Sequence, residues 1–313
     1  MSFDLVIRGG RVIDGSGNPW YRTDVAISEG KVVEVGRVDP SKAERVIDAE
    51  EFIVAPGIID LHAHSDLTIL VNPRAESAVR QGVTTEIVGN CGGSLAPLTE
   101  EGKKVMKGRY VGLADAVEWD WSSMSEYLAK LERQGVAMNL GSLVGYGTLR
   151  MDVMEFAVRA PTDAEMNGMK RLLAQALEDG AFGFSTGLEY APQGNATTDE
   201  VIELAKVAAE YGSIYVTHMR QRDIHAVESI MEAIEIGEKA GLPVHISHHP
   251  VRYPYQGRMK TMLLRLHEDA RERGLDITFD VMIQNYNPTS LTAQIPHWMH
   301  EGGLEKLLER LKD

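Results

Sequence analysis

The chain has 313 residues, 43% of them hydrophobic, which suits one α/β barrel or two ordinary domains with a sizeable core. Its 32 Lys and Arg residues against 46 Asp and Glu residues give a formal charge of −14, and no apolar run approaches the roughly 18 residues of a membrane span, so we expect binding to neither nucleic acid nor membranes. The single cysteine excludes an intrachain disulfide framework and the N-terminal residues carry no signal-peptide pattern, which predicts a cytoplasmic protein.

The first segment, residues 1–51, consists of short strand patterns and turns. Phe3–Ile7 alternates in the way that half-buried strands do. Asp24–Ser28 and Lys31–Val35 flank the dipeptide Glu29-Gly30, a spacing typical of a two-residue β-hairpin. Because no helical periodicity occurs here, we predict that this segment is a small β-domain.

From residue 52 to residue 313 the pattern changes to short apolar runs separated by helical stretches. The helices have clear starts, since Thr162 with Glu165 and Thr197 with Glu200 both fit the capping box. Repeated strand–helix units predict parallel strands joined by right-handed crossovers. The predicted strands lie at Phe52–Leu61, Val83–Val88, Met138–Val144, Phe182–Phe184, Ile214–Val216, Val244–Ile246 and Ile277–Phe279.

Metal-ligand residue types at the ends of these strands favour a closed barrel over an open Rossmann-type sheet. In a (β/α)8 TIM-type barrel the carboxyl ends of all strands converge on one mouth, whereas in an open sheet they lie along a line. We count seven barrel strands, and the chain ends on a helical stretch at Leu304–Leu311. We therefore expect a barrel without its last strand, in a chain that is C-terminally incomplete; the alternative is that one strand is not recognisable in the sequence.

Two histidines follow the first of these strands directly. Residues i and i+2 of a strand point the same way, so His62 and His64 should leave the strand on one face, close enough to share a metal ion. Zinc is bound by imidazole nitrogen and thiolate sulfur, and a catalytic zinc keeps one position for water. The alternative is a pair of core histidines with ordinary hydrogen bonds.

Three further candidate ligands end later strands. Cys91 follows Val83–Val88 and has glycines nearby that allow close approach of the backbone to an ion. His218 ends the run that begins at Ile214 and shares a face with Val216, which we predict to be the barrel interior. A buried, inert cysteine is the alternative for Cys91.

The last candidate ligand is one of two adjacent histidines. Strand parity puts His248 on the same face as Val244 and Ile246, which we predict to be the interior. By the same parity His245 and His249 should point towards the helices. His248 is therefore the predicted ligand, and His249 remains an alternative because parity weakens at the end of a strand.

A hydrolase also needs a general base near the activated water. Asp280 ends the seventh strand, but a structural or substrate-binding role suits it equally. Asp66 follows the paired histidines and could orient their loop. We expect the base on the eighth strand, outside these residues.

These motifs resemble the metal-dependent amidohydrolase superfamily, and within it the N-acyl-D-amino-acid deacylases (D-aminoacylases). The resemblance covers nearly the whole chain, and its most specific element is Gly89-Asn90-Cys91-Gly92. The other matching stretches are Ala55–Asp60 with His62 and His64, Gly82–Thr85, Ser94–Pro97, Gly183–Leu188, Thr217–Arg220 and Ile246–His249.

The resemblance implies a (β/α)8 barrel joined to a small β-sandwich. It implies hydrolysis of the amide bond of N-acyl-D-amino acids, or of a similar small N-acyl substrate, by a metal-activated water. It also implies zinc bound tightly by Cys91, His218 and His248, with His62 and His64 forming a second, weaker position. The catalytic aspartate of the family follows the eighth strand, which places it beyond residue 313.

The candidate substrate-binding residues come from positions where this chain departs from the family pattern as well as from positions where it matches. The family usually has a lysine after the paired histidines, where this chain has Pro250, and a tyrosine-proline-tyrosine run after the seventh strand, where this chain has Met282–Tyr286. A guanidinium can bind a carboxylate bidentately, which makes Arg220 a candidate anion clamp. The candidate substrate-binding residues are Tyr190, Arg220, Arg252 and Tyr286.

Three alternatives remain at the level of sequence. A dihydroorotase-like or hydantoinase-like cyclic amide hydrolase would have a carboxylated lysine at the end of the fourth strand, where Phe182–Gly187 has none. The same stretch matches G-x-S-x-G, the nucleophile elbow of serine hydrolases, but no helix follows Ser185 directly. The third alternative is a metal-binding fragment that lacks the catalytic Asp and has no turnover.

Overall fold

The chain folds into two units, Met1–Ile58 and Ile59–Asp313, each built on its own sheet. The structure is a computed structural model, and it describes residues 2–249, 256–282 and 289–312. The division follows Ile58 and not the predicted boundary at 51/52, because the short strand Ile53–Val54 pairs with the first strand of the chain. In the described part of the chain, no helix is both long enough and apolar enough to span a bilayer.

The first unit is a mixed five-stranded sheet. Four strands lie in the order β3-β2-β1-β4, and β5 pairs with β1 beyond β4. The predicted hairpin is confirmed, since β2 and β3 are antiparallel and joined by Glu29 and Gly30, both of which have positive φ. The strands are β1 (Phe3–Val12), β2 (Tyr21–Ser28), β3 (Lys31–Gly36), β4 (Ala43–Asp48) and β5 (Ile53–Val54).

The second unit contains a parallel sheet of seven strands in the sequential order β6 to β12. Three predicted strands, Val83–Val88, Val244–Ile246 and Ile277–Phe279, occur with the predicted bounds. The strands are β6 (Ile58–Asp60), β7 (Val83–Val88), β8 (Asn139–Gly145), β9 (Gly183–Gly187), β10 (Ile214–His218), β11 (Val244–Ile246) and β12 (Ile277–Phe279). The described residues contain no eighth parallel strand.

Helices connect these strands and cover the outside of the sheet. They are α1 (Thr68–Val71), α2 (Glu76–Val79), α3 (Glu100–Arg109), α4 (Met124–Gln134), α5 (Tyr146–Met154), α6 (Asp163–Glu178), α7 (Thr198–Glu210), α8 (Ala226–Ala240), α9 (Gln256–Glu272) and α10 (Gly303–Arg310). The capping box of Thr162 with Glu165 is confirmed. The second predicted box is only half formed: Thr197 caps α7, but Glu200 accepts hydrogen bonds from Tyr146 and the buried Arg150.

The seven-stranded sheet is curled, with a small apolar cluster on its inner face and a larger core under the helices. Ile87 of β7, Leu143 of β8 and Val216 of β10 pack together in the small cluster. The curl brings the carboxyl ends of the outermost strands together, since His62 Nδ1 after β6 lies 2.9 Å from Asp280 Oδ2 after β12. The ends of the two outermost strands therefore meet at one site.

The predicted orientation of β11 is wrong. Val244 and Ile246 belong to the large core under the helices, not to the inner face. His245 points inwards, where its Nε2 lies 3.1 Å from Asp280 Oδ2. His248 still reaches the inner side because the strand ends at Ile246 and His248 has a φ of +37°, which redirects its side chain.

Candidate metal centre

The structure brings the five predicted metal ligands together around one sulfur atom. Cys91 Sγ lies 3.3 Å from His62 Nε2, 3.7 Å from His64 Nε2 and 3.7 Å from His248 Nε2. Two overlapping groups result, one with His62, His64 and Cys91, and one with Cys91, His218 and His248. Within each group the ligand atoms lie within 4.8 Å of one another. Cys91 belongs to both, so it could bridge two ions.

The surroundings of Cys91 favour its thiolate form. Burial by itself would raise the pKa of the Cys91 thiol, but contacts with the four surrounding imidazoles outweigh burial and lower it well below its ordinary range. Burial also lowers the pKa of His248, to about 4, so this imidazole is neutral at pH 7. A thiolate and neutral imidazoles are the protonation states in which these side chains bind zinc.

The backbone at two ligands has an unusual conformation. Cys91 has a φ of +54° and His248 a φ of +37°, in the left-handed region that costs energy for residues other than glycine. Gly89 precedes Cys91 with a φ of +77°, and a β-carbon there would lie 2.2 Å from the Leu143 carbonyl oxygen. The tight turn before Cys91 therefore depends on a glycine that packs directly against β8.

Ser185 supports this turn from the neighbouring strand β9. Its hydroxyl is fully buried, donates to the Gly89 carbonyl oxygen and accepts from the Gly92 N–H at 3.1 Å. Ser185 is therefore not the exposed serine that a nucleophile elbow requires. In the described structure the G-x-S-x-G match is a brace for the cysteine loop.

Asn90 and Asp66 tie the cysteine loop to the paired histidines. Asn90 Nδ2 donates to the carbonyl oxygens of Ile87, Leu61 and Ala63, at 2.8, 3.3 and 3.4 Å respectively. Asp66 Oδ1 accepts from the Gly89 N–H at 2.8 Å, so its carboxyl group is hydrogen-bonded to the cysteine loop; the predicted orienting role of Asp66 stays a prediction. Burial raises the pKa of Asp66.

Asp280 organises the side of the site formed by β6 and β11. Its carboxylate accepts from the His248 N–H at 2.6 Å and contacts His62 Nδ1 and His245 Nε2. Burial lowers the pKa of His62, but hydrogen bonds with Asp280 and Cys91 outweigh burial and raise it to about 10. Asp280 thereby holds His62 with its Nε2 directed at Cys91.

His218 provides the test of whether the site suits a metal ion. Its ring is fully buried, and Nδ1 has no hydrogen-bond partner among the residues that the structure describes. Nε2 lies 2.6 Å from Glu189 Oε2. A buried ring nitrogen without a partner, next to a thiolate and a neutral imidazole, is what a zinc ligand looks like before it binds its ion. The residues present therefore fit zinc, and sequence reasoning missed Glu189.

The structure separates His248 from His249. His248 lies in the ligand group, whereas the His249 ring packs at 4.4 Å from the Phe279 ring and 4.8 Å from the His267 ring of α9. His249 therefore faces the helix layer. The geometry favours His248 as the ligand, although strand parity was the wrong reason for choosing it.

The candidate substrate-binding residues have different surroundings. Tyr190 lies at the site, since its ring packs 4.4 Å from the His218 ring. Arg220 donates to Glu232 and to the Gly194 and Ala196 carbonyl oxygens, and it lines a cavity of about 860 Å³ next to α8. These contacts hold a loop and a helix together, so an anion-clamp role for Arg220 stays a prediction. Arg252 and Tyr286 lie outside the described residues.

A curled parallel α/β sheet with Cys and His ligands at its carboxyl edge defines a class of metal-dependent hydrolase. The sequence profile of the amidohydrolase family matches residues 45–311, and the chain belongs to that family. The predicted resemblance is thus confirmed.

Within that family the chain is similar to deacylases of N-acyl-D-amino acids. It is 36% identical to the N-acyl-D-glutamate deacylase of Alcaligenes xylosoxydans xylosoxydans over 94% of this chain and 59% of that protein. It is 37% identical to the D-aminoacylase of the same organism over 83% of this chain and 54% of that protein. The chain thus spans a little over half the length of these curated relatives.

A solved structure has a similar fold. The N-acyl-D-glutamate deacylase from Bordetella bronchiseptica, complexed with zinc and a phosphonate inhibitor that mimics the tetrahedral intermediate, superposes with a TM-score of 0.82 at 35% identity. The match covers 90% of this chain and 58% of that one.

Proposed function

We propose that the protein hydrolyses the amide bond of N-acyl-D-amino acids, or of a similar small N-acyl substrate, with zinc. The observation that carries this proposal is the group of Cys91, His218 and His248, whose ligand atoms lie within 4.8 Å of one another at the carboxyl edge of the sheet. The deacylase relatives and the zinc-containing Bordetella structure support the same chemistry.

We propose that the seven parallel strands are strands one to seven of a (β/α)8 barrel. Support comes from their sequential order and from the contact between His62 and Asp280, which joins the two edges of the sheet. The five-stranded sheet of the first unit would then belong to the small β-sandwich of the family, and the units Met1–Ile58 and Ile59–Asp313 would be two domains.

Cys91, His218 and His248 would hold one zinc tightly, and His62 and His64 would form a weaker second position that shares Cys91. When bound, zinc polarises a carbonyl oxygen and lowers the pKa of water, the two effects that amide hydrolysis needs. The protein's own part is to hold a thiol with a strongly lowered pKa and the four candidate imidazoles in a fixed arrangement.

The remaining residues of the site orient the candidate ligands and cover them. Asp280 holds His62 and the His248 backbone, and Tyr190 covers the face of His218. Both carboxylates that contact ligand imidazoles, Asp280 and Glu189, already accept hydrogen bonds from them, so neither is assigned as the general base. The general base expected from the resemblance is an aspartate that follows the eighth strand of the family's barrel. Arg252 and Tyr286 remain proposed substrate ligands.

The cyclic amide hydrolases are the second candidate, but the end of β9 argues against them. A β-carbon at Gly187 would lie 2.1 Å from the Cys91 carbonyl oxygen, so the backbone there has no room for any side chain, including a metal-bridging lysine. A thiolate from Cys91 would have to take over that bridge. The proposal therefore stays with linear N-acyl substrates.

The test is a zinc determination followed by a substrate panel. After dialysis we expect about one zinc per chain, because one ligand group contains the buried thiolate and two buried imidazoles. In protein that includes the aspartate expected from the family, N-acetyl-D-amino acids, including D-glutamate, should be hydrolysed and their L-enantiomers should not. Zinc binding without hydrolysis of any member would favour the metal-binding fragment without turnover, and failure to bind zinc would remove the proposal.

A further inference from the structure

We propose that Glu189 is a positioning residue that fixes the metal-binding tautomer of His218. The proposal rests on the ligand set of the proposed function and adds to it a residue outside that set. Glu189 lies in the loop after β9, in a stretch without strand or helix periodicity, and nothing in the sequence singles it out.

The geometry of the His218 ring supports this role. Glu189 Oε2 lies 2.6 Å from His218 Nε2, while Nδ1 is buried and has no hydrogen-bond partner in the described part of the chain. An ionised carboxylate can only accept, so the proton of a neutral imidazole must be on Nε2. The lone pair of Nδ1 is then available on the opposite side of the ring. Carboxylate–histidine pairs of this kind orient zinc ligands and raise their basicity.

The backbone also holds Glu189 in this position. The N–H of the preceding Leu188 donates to the His218 carbonyl oxygen at 3.1 Å, which links the loop to the ligand's own strand. The Glu189 carbonyl oxygen lies 3.0 Å from His297 Nε2. At Gly194, five residues later, a β-carbon would lie 1.8 Å from the His297 ring, so the loop and His297 fit closely.

Glu189 is also linked to a second candidate ligand, His248. Arg222 is buried, its Nη1 lies 3.0 Å from His248 Nδ1, and its Nη2 lies 3.8 Å from Glu189 Oε2. The Arg222 guanidinium adds positive charge near the candidate cation site, and the nearby Glu189 carboxylate offsets that charge. Glu189 therefore contacts His218 directly and His248 through Arg222.

A purely structural role for Glu189 makes different predictions. If Glu189 only compensated the charge of Arg222, its removal would lower the free energy of unfolding and leave the protonation of His218 unchanged. If it positions His218, removal should weaken zinc binding in folded protein. A variant that keeps an acceptor oxygen should restore part of the affinity.

The experiment compares zinc affinity in Glu189→Ala, Glu189→Gln and the unchanged chain, measured by competition with a chromogenic chelator after circular dichroism has confirmed folding. We expect Glu189→Ala to lose 10–100-fold in affinity, the usual effect of removing such a partner. Glu189→Gln should lose less, because its amide oxygen can still accept from Nε2. Glu235→Ala, which removes a surface carboxylate paired with Lys239 on α8, is the control and should bind zinc normally.

A second measurement needs no Glu189 variant and holds even if Glu189→Ala fails to fold. In the zinc-loaded, 15N-histidine-labelled chain, His218 should keep its proton on Nε2, as seen by long-range 1H–15N correlation and assigned with His218→Gln. A proton on Nδ1 would overturn the proposal, and so would zinc affinity in Glu189→Ala equal to that of the unchanged chain. Absence of zinc binding by the unchanged chain would contradict the proposed function itself, and with it this inference. Loss of zinc in Cys91→Ala but not in Glu189→Ala would overturn only this inference.

Discussion

Cys91 joins the two ligand groups, and its removal is the most direct test of the site. Cys91→Ala deletes the thiolate from both groups, so zinc affinity should fall on the order of 100-fold or more. The side chain is small and sits in a loop braced by Ser185 and Asn90, so the variant should stay folded. Equilibrium dialysis with zinc measures the affinity, and full zinc retention by folded Cys91→Ala would contradict the ligand assignment.

His267 predicts a pH dependence that does not involve the metal ligands directly. It is almost fully buried on α9, neither ring nitrogen has a hydrogen-bond partner within residues 2–249, 256–282 and 289–312, and burial lowers its pKa to about 4. The folded state therefore disfavours the protonated ring. The neutral ring's contribution to stability is complete above the unfolded pKa of 6.5 and is lost as the pH falls from 6.5 towards 4.

The variant that tests this is His267→Phe, which places an apolar ring beside Phe279 and cannot be protonated. In chelator-treated protein, urea unfolding at pH 7 and pH 5 should show a loss of stability for the unchanged chain that exceeds the variant's loss by roughly 1–2 kcal/mol. The comparison between the two proteins cancels all other titrating groups. Equal pH dependence in both would mean that the ring is solvated in the folded state.

At the scale of elements, β9 supports the loop that follows β7. Ser185→Ala should leave the Gly92 N–H and the Gly89 carbonyl oxygen buried without their partner, which costs about 1–3 kcal/mol of unfolding free energy. Zinc affinity should fall as well, because Cys91 depends on this turn. Denaturant unfolding and chelator competition measure the two effects.

Ser142→Ala on β8 is the matched control for Ser185. Ser142 is equally buried, but its hydroxyl donates only to the adjacent Leu143 carbonyl oxygen. Zinc affinity should therefore be unchanged in Ser142→Ala. If both variants bound zinc as the unchanged chain does, the bracing role of β9 would be wrong.

The strands were predictable because they are short, apolar and bounded by turns, and Val83–Val88 and Val244–Ile246 occur with the predicted bounds. Which face of a strand is inward was less predictable. On β11 both faces are buried, so alternation carries no information, and the inner residue is the polar His245. Parallel strands covered on both sides are a general case of this ambiguity.

The ligands were predictable from their residue types and their positions after strands, but their supporting residues were not. Glu189 reaches His218 from a loop, and Asp280 reaches His62 across 218 positions of sequence. Such contacts depend on how far the sheet curls and on the course of loops, and neither has a local sequence pattern. Ser185 is the converse case. The G-x-S-x-G match is typical of a nucleophilic serine, but the Ser185 side chain is buried and holds the cysteine loop.

At the scale of the molecule, the ligands connect distant strands of the curled sheet. His62 and His64 follow β6 at one edge, Cys91 follows β7, and His218 and His248 end β10 and follow β11 near the other edge. An ion bound to them would cross-link these strands in the folded state only. A ligand that binds only the folded state raises its stability, by about 2.7 kcal/mol when free zinc is 100 times its Kd.

Zinc should therefore raise the melting temperature of the chelator-treated chain in a concentration-dependent way. Zinc should also slow backbone hydrogen exchange, most strongly at the carboxyl ends of β6, β7, β10 and β11. Magnesium at the same concentration should have no effect, because it prefers oxygen ligands to thiolate and imidazole. Cys91→Ala should show no zinc-dependent shift. A shift of equal size in Cys91→Ala would mean that the stabilising ion binds elsewhere, and protection confined to one strand end would mean that the ligands do not act as a single centre.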